Sequence, residues 1–240
     1  MNGVLVADKP QGWTSHDVVA AVKKKLGAKK VGHLGTLDPM ATGVLPLVIN
    51  GATKYAETLG GGKKEYAAAL LLGAATDTYD SVGKVTFSGD ASSVTADDVA
   101  RALAGFTGRI SQLPPMYSAV KRNGVPLYKL ARKGVTVERE PREVMVFSLV
   151  VTSVELPVVR FTASCSRGTY IRSICHDLGE VLGCGAHMTS LRRTGCGGFS
   201  IDEAVSPEAP ASELASRVMP LEDALKRGGR AAFEELSASV

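Results

Sequence analysis

Apolar runs with β character alternate with short helical patterns along this chain, and the alternation limits the folds it can adopt. Residues 3–8, 44–50 and 65–72 have the composition of strands, and residues 143–155 and 158–165 form two longer β runs. Residues 65–72 are small and aliphatic, as expected of a strand that is covered on both faces. The pattern predicts a mixed α/β or α+β fold and excludes a helix bundle.

The helices between these runs are marked by residues that cap or stop helices. Hydroxyl side chains are common helix caps, and glycine commonly follows a last turn. The predicted helices are residues 16–26 after a cap at Ser15, residues 96–103 after a cap at Thr95, and residues 170–182 after a cap at Thr169. A strand or strand pair is expected in residues 186–200, and a helical region in residues 210–226.

Composition places the chain among ordinary globular proteins. It has 240 residues, of which 45% are hydrophobic and 22% charged, and both values are usual for a folded domain. No apolar run is long enough to cross a bilayer, and residues 1–8 lack the basic leader of a secretory signal. We therefore expect a cytoplasmic protein that does not contact membranes.

Positive charge is concentrated in residues 111–142, which hold seven Lys/Arg and two Glu, whereas the whole chain has a net charge of +4. Prolines and the Asn123-Gly124 pair also interrupt this segment, which predicts an inserted basic arm with a short helix near residues 126–133. Lysine and arginine displace counterions from phosphates, so the segment favours nucleic-acid binding. Residues 23–25 are three consecutive lysines. For them, a solvent-exposed helix face remains the alternative to a nucleic-acid contact.

The four cysteines do not form a recognisable metal or disulfide pattern. They are Cys165, Cys175, Cys184 and Cys196. None belongs to a Cys-x-x-Cys pair, and the spacing of Cys175, His176, Cys184 and His187 fits no common zinc template. We expect free, partly buried thiols and no metal site.

A glycine-punctuated loop, residues 32–43, carries one carboxylate, Asp38. Glycines at 32, 35 and 43 allow sharp turns and close approach to a ligand, and Pro39 stiffens the backbone just after the acid. A strand-like run follows directly. The loop could present one catalytic carboxylate, although Asp-Pro is also common turn chemistry and the residues alone leave both readings open.

This loop and six further motifs resemble those of the bacterial tRNA pseudouridine synthases of the TruB type. They occur in the family's order over roughly residues 1–225. The further motifs are KPQGWTS at 9–15, KEY at 64–66, TDTYD at 76–80, QLPPMYSA at 112–119, CSRGTYIRS at 165–173 and LRR at 191–193. The resemblance implies the pseudouridine synthase fold: a central mixed, mostly antiparallel sheet flanked by helices, with the basic arm inserted.

The resemblance also implies roles for individual residues. Asp38 would be the nucleophile-type aspartate, Arg172 its bidentate partner, and Tyr66 the surface on which an extruded uracil stacks. Three further residues would line the pocket or lie beside the RNA loop: Tyr170, Leu191 and His33. The phosphate-contact candidates in the arm are Lys121, Arg122, Arg132 and Lys133.

The implied activity is conversion of uridine 55 to pseudouridine in the T-loop of tRNA, by base flipping and without a cofactor. We expect a catalytic domain in residues 1–225 and a C-terminal tail in residues 226–240, which is too short for the PUA domain of many members. We further expect a monomer that binds the T stem-loop and needs no obligate protein partner. Two alternatives remain: a guide-RNA-dependent synthase and a non-catalytic tRNA chaperone.

Overall fold

The structure is a computed structural model, and it describes residues 1–228 of the chain. These residues divide into two compact units. One comprises residues 1–67 and 191–228, and the other comprises residues 68–190. Strands at 64–72 and 186–196 run from one unit into the other. Each unit is therefore described by itself.

The regular elements are mostly short. The strands are β1 (Gly3–Lys9), β2 (Val31–His33), β3 (Thr42–Ile49), β4 (Lys64–Leu72), β5 (Ala74–Thr76), β6 (Val85–Ser88), β7 (Gly108–Gln112), β8 (Lys121–Arg122), β9 (Val125–Pro126), β10 (Arg142–Glu155), β11 (Val158–Cys165), β12 (Ala186–Cys196), β13 (Phe199–Ser200) and β14 (Met219–Pro220). The α-helices are α1 (Ser15–Lys25), α2 (Ala56–Leu59), α3 (Ala96–Ala104), α4 (Leu127–Ala131), α5 (Ile171–Val181) and α6 (Ala211–Ser216), and residues 221–228 are also helical. The 3-10 helices are Asn50–Tyr55 and Ile201–Glu203.

In the first unit, the sheet order is β14-β1-β3-β12, with β2 also paired to β3 and β13 to β12. The pairs of β3 with β1 and β2 are antiparallel, whereas β3 and β12 are parallel. β1 and β3 are apolar and buried along almost their whole length. Their alternate side chains enter two separate core clusters, so this part of the sheet is covered on both faces.

In the second unit, the strand order is β12-β4-β11-β10-β7. β10 pairs antiparallel with both β11 and β7, and its register shifts twice against β11. Two short hairpins, β5-β6 and β8-β9, lie outside this sheet. The expected mixed α/β fold with a mostly antiparallel central sheet is confirmed, and so are the two long β runs.

Two of the three predicted helix caps are wrong. Helix α1 is capped by Thr14, because its side chain and that of Asp17 form a reciprocal capping box, and Ser15 is instead buried in the first turn. Helix α5 starts after Tyr170 without a side-chain cap, and the Thr169 hydroxyl donates to the Ser166 carbonyl. The predicted cap at Thr95 is confirmed.

The predicted C-terminal helical region is interrupted. Helix α6 is followed by the short strand β14, which pairs with β1, before residues 221–228 become helical. Most of the predicted tail, residues 226–240, lies outside the described residues. The catalytic-domain and tail boundaries stay predictions.

All four cysteines are thiols and are buried. Their burial is more complete than the sequence suggested. Among residues 1–228, no helix is long and apolar enough to cross a membrane.

Candidate active site

The loop between β2 and β3 presents Asp38 with its side chain partly exposed. Three apolar residues anchor the loop in the interior: Leu34, Leu37 and Ala41, all at most 4% exposed. The Asp38 carbonyl accepts a hydrogen bond from the Ala41 amide at 3.0 Å, which closes a turn around Pro39. The carboxylate therefore sits on a short turn whose two ends are buried.

Residues at the start of α1 fix this turn through hydrogen bonds. The buried Ser15 hydroxyl accepts from the Leu37 amide at 2.8 Å and donates to the Leu37 carbonyl at 3.1 Å. The Gly12 amide donates to the Pro39 carbonyl at 2.8 Å. The residues on both sides of Asp38 are thus held by the segment that enters α1.

Lys9, the last residue of β1, lies beneath the loop and is fully buried. Its ammonium group donates to the carbonyls of Pro10, Pro39 and Ala41 at 3.0, 3.2 and 2.6 Å. Burial lowers the pKa of Lys9 to about 8, the Asp38 charge acts in the opposite direction, and Arg193 lowers it further. Lys9 therefore braces the turn and places a positive charge within electrostatic reach of Asp38.

Arg193, in β12, is a second buried cation at this loop and is 1% exposed. Its Nε donates to the Val44 carbonyl at 2.7 Å, and one terminal nitrogen donates to the Gly35 carbonyl at 3.1 Å. These carbonyls lie on the two sides of the turn that carries Asp38. The planar guanidinium thus ties together the entry and exit of the loop.

Two of the three loop glycines have the left-handed backbone that the sequence suggested. Gly35 has φ +117° and Gly43 has φ +101°, whereas Gly32 has an ordinary φ within β2. A Cβ at Gly43 would lie 2.2 Å from the Arg193 carbonyl oxygen. Gly43 is therefore required by the close approach of β3 to β12, whereas Gly32 does not use its conformational freedom.

The remaining predicted residues of the first unit lie on strands. Tyr66 is on β4 and Leu191 on β12, and both are buried, with exposures of 7% and 8%. His33 ends β2 directly before the loop and is partly buried, and its Nδ1 has no hydrogen-bond partner among the described residues. Burial, with help from the positive charge of Arg193, lowers the pKa of His33. The neutral imidazole is therefore favoured.

Arg172 lies in the first turn of α5, in the second unit, and is 4% exposed. Its two terminal nitrogens donate to the carbonyls of Thr78 and Tyr117, each at 2.9 Å. The carboxylate of Asp80 lies 3.8 Å from one of these nitrogens. Arg172 thus joins the Thr76–Asp80 turn to the residues that enter the basic arm. Its predicted pairing with Asp38 stays a prediction.

Tyr170, also in the second unit, is the residue before α5 and is partly exposed. Its backbone forms two hydrogen bonds with the buried Gln112 side chain, of 2.7 and 3.0 Å. The Ser173 hydroxyl adds a bond of 3.1 Å to the Leu113 carbonyl. The start of α5 is therefore fastened to the end of β7, which fixes the positions of Tyr170 and Arg172.

The basic arm contains the hairpin β8-β9 and helix α4. The hairpin turns at Asn123 and Gly124, with φ values of +51° and +79°. The four predicted phosphate contacts are all exposed, and they are Lys121, Arg122, Arg132 and Lys133. The predicted short helix is confirmed as α4, and its first residue, Leu127, is only 2% exposed.

Comparison with known proteins identifies the family. Residues 23–171 match the TruB family pseudouridylate synthase (N terminal domain), and residues 172–226 match the tRNA pseudouridylate synthase B C-terminal domain. A protein named tRNA pseudouridine synthase B from Geobacter sulfurreducens is 55% identical over 230 residues, covering 94% of this chain and 76% of that protein. The chain belongs to the TruB family.

Other relatives and solved structures agree with this placement. The protein of the same name from Opitutus terrae is 47% identical and covers 92% of this chain and 93% of its own length. A chain from the crystal structure of a Cbf5-Nop10-Gar1 complex superposes with a TM-score of 0.74 at 32% identity, covering 94% of this chain. The present chain spans 62% of that solved chain.

Two residues at the TruB loop were missed by reasoning from the sequence, Lys9 and Arg193. Lys9 closely follows the apolar run of residues 4–7, where a cation is unusual, whereas Arg193 lies between Arg192 and Thr194 and is not marked in this way. Charged side chains are rarely buried without partners. A lysine at the end of an apolar strand run was therefore the available signal for Lys9, and the sequence offered no such signal for Arg193.

Proposed function

We propose that this protein isomerises uridine 55 to pseudouridine in the T-loop of tRNA, with Asp38 as the catalytic carboxylate. Membership of the TruB family gives the reaction class, pseudouridine synthesis. The substrate in the proposal follows from the names of the relatives, tRNA pseudouridine synthase B. The roles of individual residues follow from the motifs and from the local geometry.

The reaction needs no outside reactant. The bond between uracil N1 and ribose C1′ breaks, the detached ring turns, and a bond forms between C5 and C1′. The proton on C5 leaves to solvent, and N1 gains a proton. No electrons are exchanged, so the proposed mechanism uses no cofactor and no metal.

The observation that carries the proposal is the rigid support of the carboxylate on its turn. The turn is held by Ser15, Lys9 and Arg193 through hydrogen bonds to its backbone, as described above. The positive charge of Lys9 favours the ionised form of a nearby acid. A preorganised, ionised carboxylate is what attack on the sugar or base, or removal of a ribose proton, requires.

An everted uracil needs an aromatic and apolar pocket. We assign this pocket to Tyr66, Tyr170 and Leu191, with Tyr66 as the stacking surface, since stacking on an aromatic ring contributes roughly 1–3 kcal/mol per base. His33, neutral and directly before the loop, is placed to fill space beside the flipped base. Arg172 is assigned to orient the Asp38 carboxylate through its planar, two-pronged guanidinium.

The basic arm is assigned to the RNA backbone. Its four exposed cations are Lys121, Arg122, Arg132 and Lys133. Flipping a base costs a few kcal/mol, and phosphate contacts offset part of that cost. The proposal further holds that the enzyme acts as a cytoplasmic monomer without an obligate protein partner.

Neither alternative function is favoured by the relatives. The curated relatives at 45–55% identity are named for tRNA, whereas the chains from complexes named for Cbf5 are 30–32% identical. A chaperone that only binds tRNA would not need a braced carboxylate.

The deciding experiment measures tritium release from [5-³H]uridine in T-loop RNA. Wild-type protein should release tritium, and Asp38→Asn should reduce release by more than 1,000-fold, because the neutral amide cannot act as nucleophile or base. The matched control is Asp97→Asn, an exposed carboxylate in the first turn of α3, which should keep full activity.

Each contrary outcome has a distinct meaning. Release by Asp38→Asn at the wild-type rate would refute the assignment of the acid. Tight tRNA binding by wild type without any release would refute the proposed activity and support the chaperone alternative.

A further inference from the structure

Lysines are also concentrated in two paired stretches of the first unit. Residues 18–31 and 42–56 contain six lysines and no acidic residue. The lysines are Lys23, Lys24, Lys25, Lys29, Lys30 and Lys54. The two stretches meet because β2 pairs with the end of β3, where Val31 lies opposite Ile49.

Backbone contacts gather these lysines at one end of the sheet. The Asn50 amide donates to the Lys30 carbonyl at 2.7 Å, and the Lys30 amide donates to the Asn50 side chain at 3.1 Å. The Ala28 amide donates to the Lys23 carbonyl at 3.1 Å, so the end of α1 folds back next to residues 28–30. Lys54 follows within the 3-10 helix that begins at Asn50.

Five of the six lysines have free ammonium groups. Lys25 donates to the carbonyls of Glu208 and Ala209, at 2.5 and 2.9 Å. The other five are exposed, and within residues 1–228 their ammonium groups have no hydrogen bond or ion pair. We call Lys23, Lys24, Lys29, Lys30 and Lys54 the lysine cluster.

Local stability explains only part of the cluster. Lys23 and Lys24 lie in the last turn of α1, where cations interact favourably with the helix dipole. Lys29, Lys30 and Lys54 lie outside that helix and gain no such benefit. Unpaired like charges on adjoining segments repel one another, so a polyanion is the partner that this surface fits.

The cluster lies at the opposite end of β3 from Asp38. Asp38 precedes the Thr42 end of the strand, whereas Lys30 adjoins its Ile49 end. The eight residues of β3 span about 23 Å at roughly 3.3 Å per residue. At a rise of roughly 3.4 Å per nucleotide, this distance corresponds to about seven nucleotides of a helical strand. An RNA with its target uridine at Asp38 would therefore reach the lysine cluster with the duplex next to its T-loop.

We propose that the lysine cluster is a second phosphate-binding surface, which contacts the tRNA backbone in duplex away from the target uridine. This inference rests on the proposed function, because it takes tRNA as the substrate. It adds contacts made by residues that belong neither to the arm nor to the loop that carries Asp38. The cluster contributes to affinity for the whole tRNA and leaves the chemical step unchanged.

The test compares two double variants with the same change in net charge. The test variant is Lys29→Gln with Lys30→Gln, and the control is Lys84→Gln with Lys226→Gln, two exposed lysines elsewhere. Binding is measured as a function of salt for whole tRNA and for a T-loop hairpin shortened to a few base pairs. The binding measurement does not require catalysis. A negative result for the lysine cluster can therefore be distinguished from failure of the proposed activity, which the tritium-release assay tests.

For whole tRNA, the test variant should reduce the slope of log affinity against log salt by about 1.5 and weaken binding on the order of tenfold at ~0.1 M salt. Its binding to the short hairpin and its kcat at saturating tRNA should match the control. Identical slopes for both variants on whole tRNA would overturn the proposal. An equal loss on the short hairpin would also overturn it, because the contact would then lie beside the target loop.

Discussion

The Asp38 loop and the basic arm both depend on cations, but they use them in opposite ways. At the loop, Lys9 and Arg193 are buried and direct their donors at backbone carbonyls. In the arm, the four predicted phosphate contacts are exposed to solvent. A buried cation fixes local geometry, because its removal leaves unsatisfied carbonyls, whereas an exposed cation remains available to a ligand.

This contrast predicts that equal changes in charge will have unequal effects on stability. Substitutions of the buried cations at the Asp38 loop should lower the free energy of unfolding. Because the loop is then displaced, they should also lower catalytic activity. Substitutions in the arm should leave stability unchanged and lower RNA affinity. The following variants are ordered by the size of the expected effect on stability.

Replacing Arg193 should have the largest effect. Arg193→Met should lower the free energy of unfolding by about 3 kcal/mol, because the buried carbonyls of Gly35 and Val44 lose their donor. Displacement of the loop should lower kcat about 100-fold. Arg192→Met is a matched control in the same strand, since Arg192 is 42% exposed and its ion pair with Asp8 is worth less. Denaturant unfolding measures the loss of stability in each variant. Equal losses would show that the buried arginine contributes no more to stability than the exposed one.

Lys9 should give a stability difference that depends on pH. Folded Lys9 loses its proton near pH 8, whereas the unfolded chain keeps it up to about 10.5. Between these values the unfolded state binds more protons, so the stability of the wild type rises with pH relative to Lys9→Met. The expected rise is about 1–3 kcal/mol. Parallel curves of unfolding free energy against pH for the two proteins would contradict it.

Loss of the Ser15 hydroxyl should have a smaller effect. Ser15→Ala leaves the buried Leu37 amide without an acceptor, which should cost about 1–2 kcal/mol. Ser88→Ala, at an exposed position of β6, provides the control and should change stability by less than about 0.5 kcal/mol. The melting temperatures of the two variants give the comparison, and a shift no larger for Ser15 than for Ser88 would show that this contact does not brace the loop.

The arm should show the smallest effect on stability. Substitution of its four exposed cations by glutamine should change the free energy of unfolding by less than about 1 kcal/mol. It should also lower the slope of log affinity against log salt by about 3. Substitution is a cleaner test than deletion of residues 120–134, because deletion removes the buried Leu127. An unchanged salt dependence would show that the arm does not contact phosphates.

Local signals allowed much of the fold to be predicted from the sequence. The long β runs and the cap at Thr95 depend on residues close together in the chain, and they were confirmed. The cap at Ser15 was wrong because Thr14 and Ser15 are adjacent hydroxyls. Only the reciprocal bond with Asp17, three residues after Thr14, distinguishes them.

The loop itself was found from the sequence, but its support was not. The bonds from Arg193 to Gly35 and Val44 depend on the parallel pairing of β12 with β3. No local pattern specifies which distant strand will lie beside β3, so burial of this arginine could not be derived from spacing. The roles assigned to the predicted site residues stay predictions until the proposed variants are assayed.

The contact between Arg193 and Gly35 joins residues 158 positions apart. During synthesis the ribosome completes the Asp38 turn long before it releases the arginine that braces the turn. Contacts of such large sequence separation form late, because the intervening chain must first be ordered. A nascent chain therefore contains Asp38 from early in translation, but the turn that carries Asp38 lacks this brace until residue 193 has been made.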